Sequence, residues 1–320
     1  MTEMPITTKP YKLGIVGAGA VGSALAYASL IRRSARIISL YDINPKKVDA
    51  EVEDLAHGSM FTNAEVMGGS DVEVLRDSTV IVITAGAAQK PGQTRLELAE
   101  VNAKIVAGMM PPLLDVAPDA TFVIVTNPCD VLTVVAQQVT GLPSSRVFSS
   151  GTLLDTSRLR SRLGDVAGVS ASNVHAYVVG EHGDSEFPIW SSAHIANVPI
   201  RDWEVGGERV FTDAGLDELA EEVKHAAYRV IEGKGATNYA IGVTGSYLVE
   251  ALLSTTPRVL PVSSVLDDYY GVTGVALSVP CLVGNSKLLD TIHAPMTISE
   301  IRRFRESAEA IRATLSSIGY

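Results

Sequence analysis

The stretch from residue 12 to residue 42 constrains this chain more than any other. It runs KLGIV, then GAGAVG, then helix-like ALAYASLI, and later IISLY closed by Asp42. Lys12–Val16 is a short apolar strand, and the glycines after it free the backbone to turn tightly into the helix. A GxGxxG pattern is weak evidence in a chain with 27 glycines. Between a strand and a helix, with Asp42 closing the next strand 20 residues after Gly22, it is the fingerprint of a dinucleotide-binding unit. Gly17, Gly19 and Gly22 let the main chain approach a pyrophosphate whose charge faces the helix N-terminus. Asp42 is placed to accept hydrogen bonds from a ribose 2′-hydroxyl and would repel a 2′-phosphate, so the expected cofactor is NAD, not NADP.

The pattern then repeats. Thr79–Thr84 (TVIVIT) and Thr121–Thr126 (TFVIVT) are β-branched runs too short for buried helices, and a polar helix is expected over 45–57. Near-continuous apolar strands alternating with helices predict a parallel sheet covered on both faces. Pro111–Pro112 should break or kink the helix before Thr121. From about residue 150 the texture changes. Helices are expected over 153–164, near 213–232, over 237–253 and over 297–316, with a strand at 174–179 and strand-like runs at 258–263 and 274–283. The expected class is α/β. A Rossmann-type doubly wound sheet over 11–151 precedes a mixed α+β substrate domain over 152–320.

Composition narrows the partners. With 36 acidic residues against 26 Lys plus Arg, the net charge of −10 argues against a nucleic-acid surface, and any anionic ligand needs a local cluster of cations. Cys129 and Cys281 have no CxxC or Cys/His spacing, so neither a disulfide framework nor a metal site is expected. The start has no signal-peptide pattern, and no run approaches the ~18 apolar residues of a membrane helix. A soluble cytoplasmic protein with no membrane contact is expected.

Four further stretches carry chemistry. In GEHGDSEFP, His182 lies between acids and glycines: either a surface turn, or an imidazole whose proton is controlled for work near neutral pH. The loop AGAAQKPGQTRLE follows a strand end, where ligands bind on open α/β sheets. Its Lys90 and Arg95 are either solvated cations or part of a lid that brings Arg95 to an oxygen on which charge develops. Asp155 and Arg158 share a helix face, as a plain ion pair or with Asp155 steadying His182 while Arg158 offers its fork to a carboxylate. Asn127, at another strand end, would orient a bound oxygen. Together with a dinucleotide, these groups suit hydride transfer coupled to proton transfer.

The set GAGAVG, QKPGQTR, VTNP, LDTSR and GEHGD, in this order, resembles the L-lactate dehydrogenases of the lactate/malate dehydrogenase family, over about residues 12–318. The resemblance implies that His182 is the catalytic acid/base, Asp155 its partner, Arg158 the carboxylate clamp and Arg95 the carbonyl polariser, with Asn127 beside it. Thr237 in GATNYAIG matches a substrate-pocket threonine, Ile241 is expected near the nicotinamide, and Val21, Lys47, Gly86, Ala87 and Val125 match cofactor contacts. The Asn127–Pro128 bond is expected to be cis.

At Gln89 the family's malate enzymes usually carry Arg. Neutral Gln would leave a second substrate carboxylate without a counter-charge, at a cost of several kcal/mol in a dry site, so pyruvate and L-lactate are expected over oxaloacetate and malate. Arg160 and His175 read alone as a surface Arg and a strand His. They match the positions at which many bacterial members bind fructose 1,6-bisphosphate across a two-fold interface, and a homotetramer is implied by the same resemblance. The competing readings are a malate or broader 2-hydroxy acid dehydrogenase, and a non-catalytic NAD(H)-responsive binding protein.

Overall fold

The computed structural model describes residues 11–88 and 94–320. Six parallel strands form its first half: β1 (Lys12–Val16), β2 (Ile37–Tyr41), β3 (Glu65–Gly69), β4 (Val80–Ile83), β5 (Thr121–Ile124) and β6 (Val147–Ser149). Their spatial order is β3-β2-β1-β4-β5-β6. The order reverses between β1 and β4, and at such a switch point the loops beyond the strand ends diverge and leave a crevice. Ile15, Ile38, Val82 and Val123 are all sealed from solvent, which is why these runs lack alternation.

Helices α1 (Ala20–Arg32), α2 (Pro45–Gly58), α3 (Arg95–Val116) and α4 (Cys129–Thr140) cover the faces. Of the break or kink expected at Pro111–Pro112, the break does not occur, since α3 continues to Val116. Both prolines face solvent, and the carbonyls they leave unpaired belong to Ala107 and exposed Gly108, within reach of water. Buried Met110, Leu113 and Val116 hold the last turns against the sheet.

The long strands of the second half join the sheet of the first. Strands Arg258–Val265, Ala276–Gly284 and Lys287–Thr291 add antiparallel to β6 and extend the sheet to nine strands. The expected strand 174–179 is two short pieces, Val174–His175 and Val178–Val179, in different small sheets. Helices α5 (Leu153–Ala167), α6 (Asp213–Lys224), α7 (Ala226–Lys234), α8 (Tyr239–Leu253) and α9 (Ile298–Ser317) complete the chain, and the expected helix 213–232 is divided at His225. Among the described residues no helix is long and apolar enough to cross a membrane.

Candidate active site

The glycine turn has little slack. Gly17 has φ +101°, and a Cβ there would stand 2.8 Å from the backbone N of Ala85. A Cβ on Gly22 would lie 1.8 Å from the Gly17 carbonyl oxygen, so α1 and β1 meet through bare backbone. Asp42 braces the turn: its Oδ2 accepts from the Ala18 N–H at 2.8 Å, and its Oδ1 accepts from Asn44 N–H at 2.9 Å. Gly19 caps α1 without a side-chain acceptor, so the first N–H groups of the helix remain available to an anion. Lys47 brings its ammonium to 3.9 Å from where a Gly19 Cβ would be, and half-buried Val21 follows. A dinucleotide fits this donor set.

On the other side of the crevice, Gly86 passes so close to Thr126 that a Cβ would meet its Cγ2 at 2.3 Å. Asn102, 1% exposed on α3, ties this wall together. Its Oδ1 accepts from Ala87 N–H at 2.7 Å, and its Nδ2 donates to the Asn127 carbonyl at 2.8 Å. Val125 is half-buried just before, and the Asn127–Pro128 peptide is cis. Nothing in the sequence reading singled out Asn102, although a polar residue among Leu98, Ala99, Ala103 and Val106 was a usable signal.

Two threonines set the helix that carries Asp155. Thr152 donates its hydroxyl to the Val178 carbonyl at 2.6 Å, and Thr156 accepts from the Val178 N–H at 3.0 Å. The start of α5 is thereby stapled to strand Val178–Val179, four residues ahead of His182. Gly180, at φ +92°, pairs with Ser278 of the main sheet and turns the chain into the 181–186 loop. Asp130, in the first turn of α4, accepts from the His182 backbone N–H at 2.7 Å. Because α4 starts directly after Asn127–Pro128 at the β5 end, the histidine loop lies on the same edge of the sheet as the glycine turn.

The surface-turn reading of His182 therefore fails. Its Nδ1 lies 2.7 Å from Asp155 Oδ2, and Arg158 Nη1 donates to Asp155 Oδ1 at 2.7 Å. Asp155 is 3% exposed, and its place in the first turn of α5 adds helix-dipole support to its negative charge. Burial alone would lower the His182 pKa. The Asp155 carboxylate, by charge and by hydrogen bond, overcomes this with help from Glu186 and Asp130 and pushes it up to about 10. Burial likewise lifts Asp130 to about 6, against the nearby Ser263 hydroxyl and the charge of His182. Asp130 and Glu186, the latter 3.9 Å from His182 Nδ1, were missed in the sequence. Asp130 follows a cysteine in an apolar helix, and Glu186 sits in an ordinary loop context.

Arg95 opens α3 after a capping box formed by Thr94 and Glu97. It pairs with Asp184 at 2.6 Å and contacts the Tyr228 hydroxyl, which ties it to the histidine loop and to α7. Thr237 and Ile241 flank the first turn of α8, both half-buried, where Gly242 packs against Ala24 of α1. Gln89 lies outside the described residues. Arg160 and His175 are not in this group. Arg160 donates to the Ala176 carbonyl at 2.9 Å with its guanidinium 4.8 Å over Tyr177, and exposed His175 stacks on His194 at 5.0 Å.

A dinucleotide crevice at the switch point, beside a carboxylate-held imidazole and two arginines, defines an NAD-dependent oxidoreductase. Comparison with known proteins gives the family. The NAD binding domain of lactate/malate dehydrogenase matches residues 11–149, and the alpha/beta C-terminal domain of the same family matches 152–318. The chain belongs to the lactate/malate dehydrogenase family. It is 47% identical to an L-lactate dehydrogenase of Bifidobacterium animalis subsp. lactis, with 100% of both chains covered. It is 41% identical to the L-lactate dehydrogenase of Thermus aquaticus, covering 97% of this chain and 100% of that one. The crystal structure of the minor L-lactate dehydrogenase of Enterococcus mundtii superposes with a TM-score of 0.91 at 36% identity, over 96% of this chain and 98% of that one.

Proposed function

We infer that this chain is an L-lactate dehydrogenase that interconverts pyruvate and L-lactate. The observation that carries the chemistry is the Arg158–Asp155–His182 array, with both contacts at 2.7 Å. When bound, the nicotinamide cofactor would supply the hydride that reduces a carbonyl carbon, and in its oxidised form would take one back. His182, cationic in reduction, donates its Nε2 proton to the carbonyl oxygen and keeps its Nδ1–H on Asp155. In oxidation the neutral ring takes the hydroxyl proton back. Arg158 turns its remaining N–H groups to the substrate carboxylate. Arg95 polarises the carbonyl with Asn127 beside it, while Thr237 would line the substrate pocket and Ile241 would face the nicotinamide. Gly17, Gly19, Val21, Gly22, Asp42, Lys47, Gly86, Ala87 and Val125 hold the cofactor, and the chain divides at 151/152 into cofactor-binding and catalytic parts.

Gln89 selects the substrate by declining to neutralise a second carboxylate. The test is NADH oxidation with pyruvate and with oxaloacetate as competing acceptors. The reading predicts the higher kcat/KM for pyruvate, and an equal or higher value for oxaloacetate overturns it.

Arg160 and His175 form the proposed effector site, taking the phosphates of fructose 1,6-bisphosphate in a homotetramer where a two-fold axis doubles them to four cations. What supports this is their proximity on one surface. Burial, then the charges of His194 and Arg160, lower the His175 pKa, and a bound phosphate would reverse that repulsion. The two buried, free cysteines suit work in the reducing cytoplasm.

A further inference from the structure

One buried acid beside the imidazole adds charge to the surroundings of His182 but takes no step in the scheme above. Glu186 is 5% exposed, and its Oε2 lies 3.9 Å from His182 Nδ1, beyond hydrogen-bond range. Ligating atoms of Asp155, His182 and Glu186 all lie within 4.8 Å of one another, so two carboxylates crowd a single ring nitrogen. Asp155 has taken the hydrogen bond to that nitrogen as well as the one from Arg158. Glu186 has therefore arrived second at a position already served.

The consequence is electrostatic. Around Glu186 stand Asp155 and Arg158 from α5, His182 from its own loop and Lys224 from the last turn of α6, with Asp130 of α4 also acting on His182. Lys224 is itself paired with Glu221 at 2.8 Å, which reduces what it offers Glu186. Two ionised carboxylates at this spacing in a dry pocket repel strongly, so one of them keeps its proton. Asp155 holds the direct contacts to both cations and stays ionised. Burial, and then the Asp155 charge, push Glu186 up to about 8, against the pull of His182, Arg158 and Lys224.

Resting on the lactate dehydrogenase reading, we propose that Glu186 is an electrostatic gate on substrate affinity. While neutral, it leaves the field of Arg158 and His182 intact for a monoanionic 2-oxo acid. When ionised, it sets a negative charge beside that site and weakens binding of the acid. His182 keeps its proton through this range, so affinity is lost before the chemical step is. Glu186 thus acts as a positioning and specificity residue. It neither touches the substrate nor exchanges a proton with it.

Two measurements test this. The first is the pH dependence of pyruvate KM and of single-turnover rate between pH 6 and 10, for wild type and Glu186→Gln. Wild-type KM should be flat to about pH 7.5 and then rise on the order of tenfold by pH 9, while the single-turnover rate holds. Glu186→Gln, neutral at every pH, should lose the rise, its KM at pH 9 staying within about twofold of its own value at pH 7. The second is infrared difference spectroscopy of the cofactor-free protein, which reads a protonated carboxyl directly and needs no turnover. Wild type at pH 7 should show a carboxylic-acid band that disappears by pH 9.5 and is missing from Glu186→Gln. A KM rise that survives in Glu186→Gln, a wild-type KM flat to pH 9.5, or no titrating band in wild type overturns the proposal. Failure of wild type to reduce pyruvate at any pH would sink the assignment of function instead, and the infrared band would still decide the state of Glu186.

Discussion

Replacing Asp155 with Asn keeps the size of the side chain and removes the charge that holds His182. With Asp155 present the His182 pKa is about 10, so at pH 8 roughly 99% of the ring carries the proton that pyruvate needs. Asn removes the two largest raising influences, charge and hydrogen bond. Burial, which lowers the value, then works against Glu186 and Asp130 alone. A return to the ordinary value of ~6.5 leaves about 3% protonated at pH 8 and about three-quarters at pH 6. The variant should therefore lose roughly thirty-fold in pyruvate reduction at pH 8 from protonation alone, but less than about 1.5-fold at pH 6. A further factor, independent of pH, comes from the freed ring orientation and from Arg158, which loses its 2.7 Å partner. Single-turnover oxidation of bound NADH by saturating pyruvate is the right assay, because product release does not contribute to it. A deficit of the same size at pH 6 and pH 8 would mean that Asp155 orients the ring without setting its charge, contrary to this prediction.

Three other outcomes are expected. Asn102→Ala strips partners from the Ala87 N–H and the Asn127 carbonyl, at a cost of about 1–3 kcal/mol, and should raise KM for NADH and pyruvate together while lowering Tm, as read by steady-state kinetics and thermal unfolding. Gln89→Arg supplies the counter-charge a second carboxylate needs and should invert the pyruvate-to-oxaloacetate ratio of kcat/KM; an unchanged ratio removes residue 89 from the selection. Fructose 1,6-bisphosphate should lower pyruvate KM or strengthen oligomerisation, more at pH 6 than at pH 8 as His175 gains its proton, and Arg160→Gln should abolish the effect. An effect that survives Arg160→Gln places the effector elsewhere.

How far the sequence could be read depended on whether a feature was local. The central strands were legible because burial on both faces leaves only apolar, β-branched runs. Edge strand β3 was not, because Glu65–Gly69 ends in two glycines and pairs along its length with β2 on one side alone. With three residues, β6 is too short for any period to show. The run 174–179 looks like one strand, yet Ala176 and Tyr177 divide it between two different partners in separate small sheets, His194–Ile195 and Phe187–Pro188. Nothing local says that strands beyond residue 258 join the sheet begun at residue 12. At the site, His182, Asp155 and Arg158 were found as separate motifs, and their spacing along the chain left a surface turn and a plain ion pair open beside the reading that joins them. What brings them together is the Thr152 and Thr156 contact with Val178, a tertiary event. Asn102, Asp130 and Glu186 act through such contacts as well, so the sequence held the residues without their roles.

The most direct trial of the account is NADH-dependent pyruvate reduction by His182→Asn beside wild type, with NADH affinity measured on both. The account predicts that Asn, which cannot deliver a proton from that position, loses about 10²–10⁴-fold in kcat/KM while NADH binds equally well. Turnover within a few-fold of wild type would mean that the proton comes from another group, and the mechanism built on the Asp155-held imidazole would be wrong.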